Sequence, residues 1–133
     1  MRQAIIASTA RTPLGRSYRG AFNNVASPTL ASHAIRAAIE RAGLSGDDID
    51  DVIIGAGLQQ GVQTTVARAA ALRAGLPDGI GAYSLDRQCG SGLQAIVNAA
   101  HHVILEGADV VVAGGVESIS LVQTPGIRVT PDP

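Results

Sequence analysis

Cys89 is the only cysteine among 133 residues, and it stands within Ser84-Leu85-Asp86-Arg87-Gln88-Cys89-Gly90-Ser91-Gly92-Leu93-Gln94-Ala95. A short apolar-alternating run precedes it and a long apolar segment of helical period follows, which predicts a strand-to-helix turn at the thiol. Gly90 and Gly92 keep the backbone there close and unobstructed. Such a turn exposes its side chain, and the free N–H groups of a helix start favour a thiolate and can hold an oxyanion. That is a nucleophile's position. The competing reading is an inert, buried cysteine that acts as a small apolar filler.

A nucleophilic thiol needs a base, and the chain offers three histidines. His101 and His102 lie on the predicted helix that follows Cys89, and a rise of about 1.5 Å per residue puts them roughly 18 Å away. Neither can take its proton. His33 sits early in the first predicted helix with nothing to link it to Cys89, and reads as structural. The sequence therefore identifies no base. Asp47, Asp48, Asp50 and Asp51 lack the regular spacing and downstream glutamate of a hard-cation loop, so they read as a solvated, capped turn and no metal site is assigned.

Two glycine patterns invite a phosphate and fail on detail. Gly15 and Gly20 open a P-loop spacing, but Ala21-Phe22 stand where Lys and Ser/Thr would be needed. Gly55, Gly57 and Gly61 follow a predicted strand, but the last glycine comes one residue late for a dinucleotide fingerprint. These glycines are expected to let a loop turn tightly beneath a neighbouring element.

The elements that must carry Cys89 follow from periodicity and punctuation. Strands are predicted at Ala4–Ala10, Asp51–Gly55, Ala82–Leu85 and Asp109–Gly115. Helices are predicted from Ser27-Pro28 to Ala42, ended by Gly43; from Thr64 or Thr65, as cap, to Ala74, ended by Gly75-Leu76-Pro77; and from Ser91 to Glu106, ended by Gly107. In the first helix Leu30, Ala34, Ala38 and Ala42 share one face. In the second, Val66, Ala69, Ala70 and Leu72 are expected mostly inward. The third is apolar on several faces and is expected to be buried on most sides. The order β-α-β-α-β-α-β gives an α/β class, with a mainly parallel sheet and helices on both faces.

A hydrophobic content of 46% with 2% aromatic residues implies a core of Ala, Val, Ile and Leu. Ten Lys and Arg against eleven Asp and Glu, a net charge of -1, leave no basic footprint for nucleic acid. No apolar run reaches the roughly 18 residues of a membrane span, and Met1-Arg2-Gln3-Ala4-Ile5-Ile6 lacks a signal peptide's apolar core. A lone cysteine favours a reducing compartment, so the chain reads as cytoplasmic. Ile127-Arg128-Val129-Thr130-Pro131-Asp132-Pro133 closes no element, which suggests an interrupted domain.

Arg87-Gln88-Cys89-Gly90-Ser91-Gly92-Leu93-Gln94-Ala95 resembles the acyl-enzyme cysteine motif of the thiolases, the acyl-CoA:acetyl-CoA C-acyltransferases. Arg11-Thr12-Pro13 with Gly15, Val66-Ala67-Arg68 with Ala74-Gly75-Leu76-Pro77, and Ala113-Gly114-Gly115-Val116-Glu117-Ser118 match in the same order. The resemblance covers nearly the whole chain. It implies that residues 1–133 form the incomplete N-terminal half of a layered thiolase-like fold, ending before the loop region and the C-terminal domain.

It further implies that Cys89 attacks an acyl-CoA thioester and that its backbone N–H helps bind the oxyanion. An S-acyl enzyme then serves either cleavage of a 3-ketoacyl-CoA with CoA, as in fatty acid β-oxidation, or condensation of two acyl-CoA molecules. CoA and acyl-CoA enter as substrates, and no cofactor is implied. Where family members carry asparagine this chain has Asp86 and Thr65, and a carboxylate facing the sulfur would disfavour the thiolate. Glu117 reads as a structural anchor of its loop. Thiolases are much longer, and the residues that activate the cysteine lie in the part absent here. Because the parent sheet is incomplete, exposed apolar edges are expected to make the chain a homo-oligomer or to need a C-terminal partner, and with no base the isolated chain is expected to turn over little or not at all. A ketoacyl-synthase-like condensing domain, or a non-catalytic assembly domain, are the alternatives.

Overall fold

The computed structural model describes residues 2–123; the C-terminal stretch from Ile127 to Pro133 lies outside them. Three parallel strands form the sheet: β1 (Asp51–Gly55), β2 (Gly81–Leu85) and β3 (Val111–Gly115), in the order β2-β1-β3. Pairing is in register from Asp51 opposite Gly81 and Val111 to Gly55 opposite Leu85 and Gly115. All three strands therefore end at one level, where the turn carrying Cys89 begins. β1 is central and buried on both faces, which is why it is a continuous apolar run rather than an alternating one.

Helix α1 (Ser27–Ala42) starts with Pro28 in its first turn and ends at Gly43 in the left-handed conformation, φ 71°. Proline lacks the N–H that a first turn cannot use, and glycine adopts the left-handed closing residue without a Cβ clash. α2 (Val66–Ala74) ends the same way at Gly75. α3 (Ser91–His101) continues as a π-helical turn from His102 to Glu106 before Gly107 closes it. A short α4 (Ile119–Val122) follows β3. Among the described residues no helix is long and apolar enough to cross a membrane.

The two faces of the sheet are covered differently. On one, Ile35 and Ile39 of α1, Val66, Ala67, Ala70 and Ala71 of α2, and Val52 and Ile54 of β1 form the larger core. On the other, α3 contributes only Ala95 and Ala99, packed on Ile53 with Tyr83, Leu85, Val111 and Ala113 around them. Helices on both faces of a parallel sheet are as the sequence predicts.

Several expectations are corrected. The segment Ala4–Ala10 is not a strand: Ile5 and Ile6 are 83% and 73% exposed. Its backbone joins no strand of the β2-β1-β3 sheet, and side chains tether the chain at its two ends. Arg2 binds the Gly107 carbonyl and the Asp109 carboxylate, and Arg41 donates to the Thr9 carbonyl. A local apolar run signals readiness to pair, while pairing itself needs a neighbour. In α1 the buried stripe is Ala31, Ile35 and Ile39, one position along from Leu30, Ala34 and Ala38. In α2, Ala67 and Ala71 are buried in place of Ala69 and Leu72. Thr65 makes no side-chain cap; a 3-10 turn at Gly61–Gln63 leads into α2, and the Thr64 hydroxyl donates to the Gly61 carbonyl. α3 is not buried on most sides: Leu93 is 70% exposed and Leu105 74%.

The aspartate cluster caps backbone, as expected of a turn. Ser45 and Asp48 form a reciprocal capping box, and the Asp50 carboxylate accepts the N–H groups of Asp109 and Val110. Asp48 is held below the ordinary carboxylate range by the Ser45 backbone N–H and then its hydroxyl. Asp50 is lowered first by the Val110 N–H, then by that of Asp109.

Candidate active site

β2 ends at Leu85 and α3 starts at Ser91, so Cys89 occupies the strand-to-helix turn that its flanking residues predict. The turn is knotted by its own side chains. Asp86 Oδ1 accepts the Gln88 N–H at 2.7 Å, stabilising Gln88 in a left-handed conformation of φ 48°. The buried Ser91 hydroxyl accepts the Arg87 N–H at 2.8 Å and donates to the Gln88 carbonyl at 2.6 Å. Backbone bonds from Gly90 N–H to Arg87 and from Ser91 N–H to Gln88 close the loop. The Cys89 side chain is exposed. Its N–H lies just ahead of the helix cap Gly90, in the zone where amides lack intrahelical acceptors. The Asp86 carboxylate is engaged with backbone.

Glycines seat this turn on the sheet. A Cβ on Gly55, the last residue of β1, would lie 2.2 Å from the Ser91 carbonyl carbon. A Cβ on Gly115, the last residue of β3, would lie 2.8 Å from the Gly92 Cα. No side chain fits at either position, so the first turn of α3 rests directly on the strand ends. Gly57 continues the contact: a Cβ there would be 3.2 Å from the Gln88 carbonyl. Gly55 and Gly57 thus lie beneath a neighbouring element, as the sequence predicts, whereas a Cβ on Gly61, at φ 54°, would meet nothing within 4 Å.

A cleft of about 540 Å³ opens in front of Cys89. Its walls are the 55–58 turn, Gln88, Ser91 and Gly92, the Gly115–Glu117 loop, Ile119 and Gln123. Glu117 anchors this loop as expected: one carboxylate oxygen accepts the Gly57 N–H at 2.8 Å and the other accepts from the Gln63 amide. No histidine lines the cleft among the described residues. His33 and His101 are exposed on α1 and α3. His102 is half-buried beside Asp51, 3.5 Å away, and Tyr83. It is one residue past the end of the helix whose other end adjoins Cys89.

A second cleft, about 290 Å³, lies between the 10–17 segment, α1 and the loop after β3. The Gly15 to Gly20 loop beside it packs on α4 through Tyr18, whose N–H donates to the Ser120 hydroxyl and whose own hydroxyl donates to the Gln123 carbonyl. Sequence reasoning missed two contributors to the Cys89 site: Ser91, whose hydroxyl ties the turn, and Gln63, which is completely buried behind it. Ser91 carried a readable signal as a polar residue entering an apolar helix. Gln63 carried none.

The profile of the thiolase N-terminal domain matches residues 4–129. Among similar proteins, the acetyl-CoA acetyltransferase of Rhizobium meliloti is 43% identical over 117 residues, covering 88% of this chain and 30% of that protein. The cytosolic acetyl-CoA acetyltransferase of Gibberella zeae is 44% identical over 115 residues, covering 86% and 29%. The crystal structure of the Bacillus anthracis acetyl-CoA acetyltransferase superposes with a TM-score of 0.86 at 37% identity, covering all of this chain and 35% of that one. The chain thus spans about a third of the length of these relatives or slightly less. It belongs to the thiolase family.

Proposed function

We propose that this thiolase-family chain carries the acyl-accepting half of a C-acyltransferase site, in which Cys89 takes an acyl group from acyl-CoA. The supporting observation is the exposed Cys89 at the head of α3, facing an open cleft on a turn seated by Gly55 and Gly115. The thiol loses its proton to solvent or a base, and the thiolate attacks the thioester carbonyl. The oxyanion forms beside the Cys89 N–H at the start of the helix. Collapse of the adduct breaks the C–S bond to CoA, which leaves as a thiolate and is protonated. Cys89 is left as an S-acyl thioester.

The complete cycle would pass this acyl group to CoA or condense it with a second acyl-CoA, and names of similar proteins favour acetyl-CoA. CoA and acyl-CoA serve as substrates, with no resident cofactor. The cleft has no histidine among its described residues, so the second half of the cycle draws its base from another part of a longer protein or from a partner subunit. We infer a cytoplasmic setting, in keeping with the cytosolic relative.

The test is incubation of the folded chain with acetyl-CoA, followed by intact-mass analysis. An acetyl adduct that forms slowly and is absent in Cys89→Ala is expected, with no sustained cleavage of acetoacetyl-CoA. If iodoacetamide labels Cys89 while acetyl-CoA leaves it unmodified, the proposal fails. Adduct formation from an acyl-carrier protein but not from acetyl-CoA would instead assign a ketoacyl-synthase-like domain.

A further inference from the structure

We propose that Gln63 is a positioning residue for Cys89, holding the wall of the cleft against the turn that presents the thiol. This rests on the reading of Cys89 as the acyl acceptor. Gln63 lies in the 3-10 turn before α2 and is fully buried. A carboxamide offers two donors and two acceptor sites, and here all four are used. Oε1 accepts the Ser27 hydroxyl at 2.5 Å and the Ser118 N–H at 2.6 Å. Nε2 donates to the Leu58 carbonyl at 2.7 Å and to one oxygen of the Glu117 carboxylate. The orientation is forced, because the Ser118 N–H can only donate and the Glu117 carboxylate can only accept.

These bonds join three separate parts of the chain behind the cleft: the first residue of α1, the 57–58 turn, and the loop after β3. The second oxygen of Glu117 accepts the Gly57 N–H. Gly57 in turn abuts the backbone carbonyl of Gln88, the residue before Cys89. A continuous path of hydrogen bonds and close packing therefore runs from the buried amide to the nucleophile's turn. Gln63 itself lies behind the residues that line the cleft. Its effect is exerted through Glu117 and Gly57, on the distance and angle at which a bound thioester meets the sulfur. Reacting atoms displaced by about 1 Å react roughly a hundredfold more slowly.

The test compares Gln63→Glu with the unaltered chain, following acetylation of Cys89 by acetyl-CoA from about pH 6 to pH 8, with folding monitored by circular dichroism. A buried carboxyl beside the Glu117 carboxylate titrates well above its ordinary range. Protonated, the introduced carboxyl keeps the carbonyl acceptor and one donor for Glu117 and gives up the bond to the Leu58 carbonyl; ionised, it also repels Glu117. The variant-to-wild-type rate ratio is therefore expected to fall about tenfold as pH rises, with the fold retained. A flat ratio near one, or a ratio that merely follows the folded fraction, overturns the proposal.

Ser27→Ala removes one hydrogen bond from the same amide oxygen at the start of α1. It is expected to slow acetylation about threefold; a rate equal to wild type overturns the proposal even where Gln63 variants do not fold. Failure of the unaltered chain to be acetylated overturns the acyl-transfer reading and this inference with it. Acetylation of the chain with no effect of either variant overturns this inference alone.

Discussion

The two faces of the sheet are packed differently. On one, the branched side chains of Ile35 and Ile39 from α1, Val66 from α2 and Val52 and Ile54 from β1 fill the core together with the α2 alanines Ala67, Ala70 and Ala71. On the other, α3 meets the sheet through the near absence of side chains. Its first turn rests on Gly55 and Gly115, and only Ala95 and Ala99 are its buried apolar residues. The first mode buries apolar area and gives stability. The second gives close approach, which sets the Cys89 turn on the strand ends, and it leaves Leu93, Ile96, Val97 and Leu105 facing outward. The site is thus positioned by the thinly packed face and held up by the well-packed one.

Gly55→Ala should break this arrangement most severely. Its Cβ would overlap the Ser91 carbonyl group, and neither is a movable side chain. α3 must lift from the sheet, at a cost of about 3 kcal/mol or more. Urea unfolding would measure the loss, and Gly114→Ala is the control, since a Cβ there meets nothing within 4 Å. Equal midpoints for the two variants would remove close approach as the basis of α3 packing.

The next effect contrasts the side chains of the two faces. Ile35→Ala should cost roughly 2–4 kcal/mol, as expected where a buried aliphatic group leaves a cavity. Leu93→Ala should change stability by about 0.5 kcal/mol or less, as for an exposed position. Its consequence should appear on sizing chromatography, because an exposed apolar helix face favours self-association. A Leu93 variant as destabilised as the Ile35 variant would mean that α3 is packed within the monomer after all.

The smallest effect concerns the opposite end of the sheet from Cys89, where Asp48 and Asp50 cap backbone before β1 and β3. Both carboxyls are lowered in the fold, so each contributes stability above the unfolded value near 3.8 that is lost as pH falls through the folded one. Stability should therefore be flat from neutral pH down to about pH 4 for these two groups and decline below it. Asp50→Asn should flatten part of that decline. An acid limb unchanged by the substitution would show that the Asp50 hydrogen bonds to Asp109 and Val110 do not govern it.

Much of the fold was legible locally. The helix boundaries at Gly43, Gly75 and Gly107 were readable because a residue with positive φ is cheapest as glycine, and α1's start because Pro28 suits a first turn. Cys89 was placed correctly for the same reason, between a strand signal and a helix signal with glycines after it. Local patterns misjudged what depends on a distant neighbour. Ala4–Ala10 has strand composition but joins no strand of the sheet, and in Ala-rich α2 the inward positions were misplaced because small residues surround the whole helix. The apolar faces of α3 indicated burial that this chain does not provide.

The amino-acid sequence by itself determined the order of elements from α1 to β3, the parallel α/β class and the turn that presents Cys89, because period and punctuation act over a few residues. Only the tertiary structure decided that Gly55 and Gly115 form the seat of α3, that Asp86 faces backbone, and that Gln63 joins α1 to the wall of the cleft. These are contacts between segments far apart in the chain. Gln63 and Ser118 are adjacent only because β1, α2 and β3 fold to bring them there, and a buried amide is recognised by its partners, which no local pattern contains.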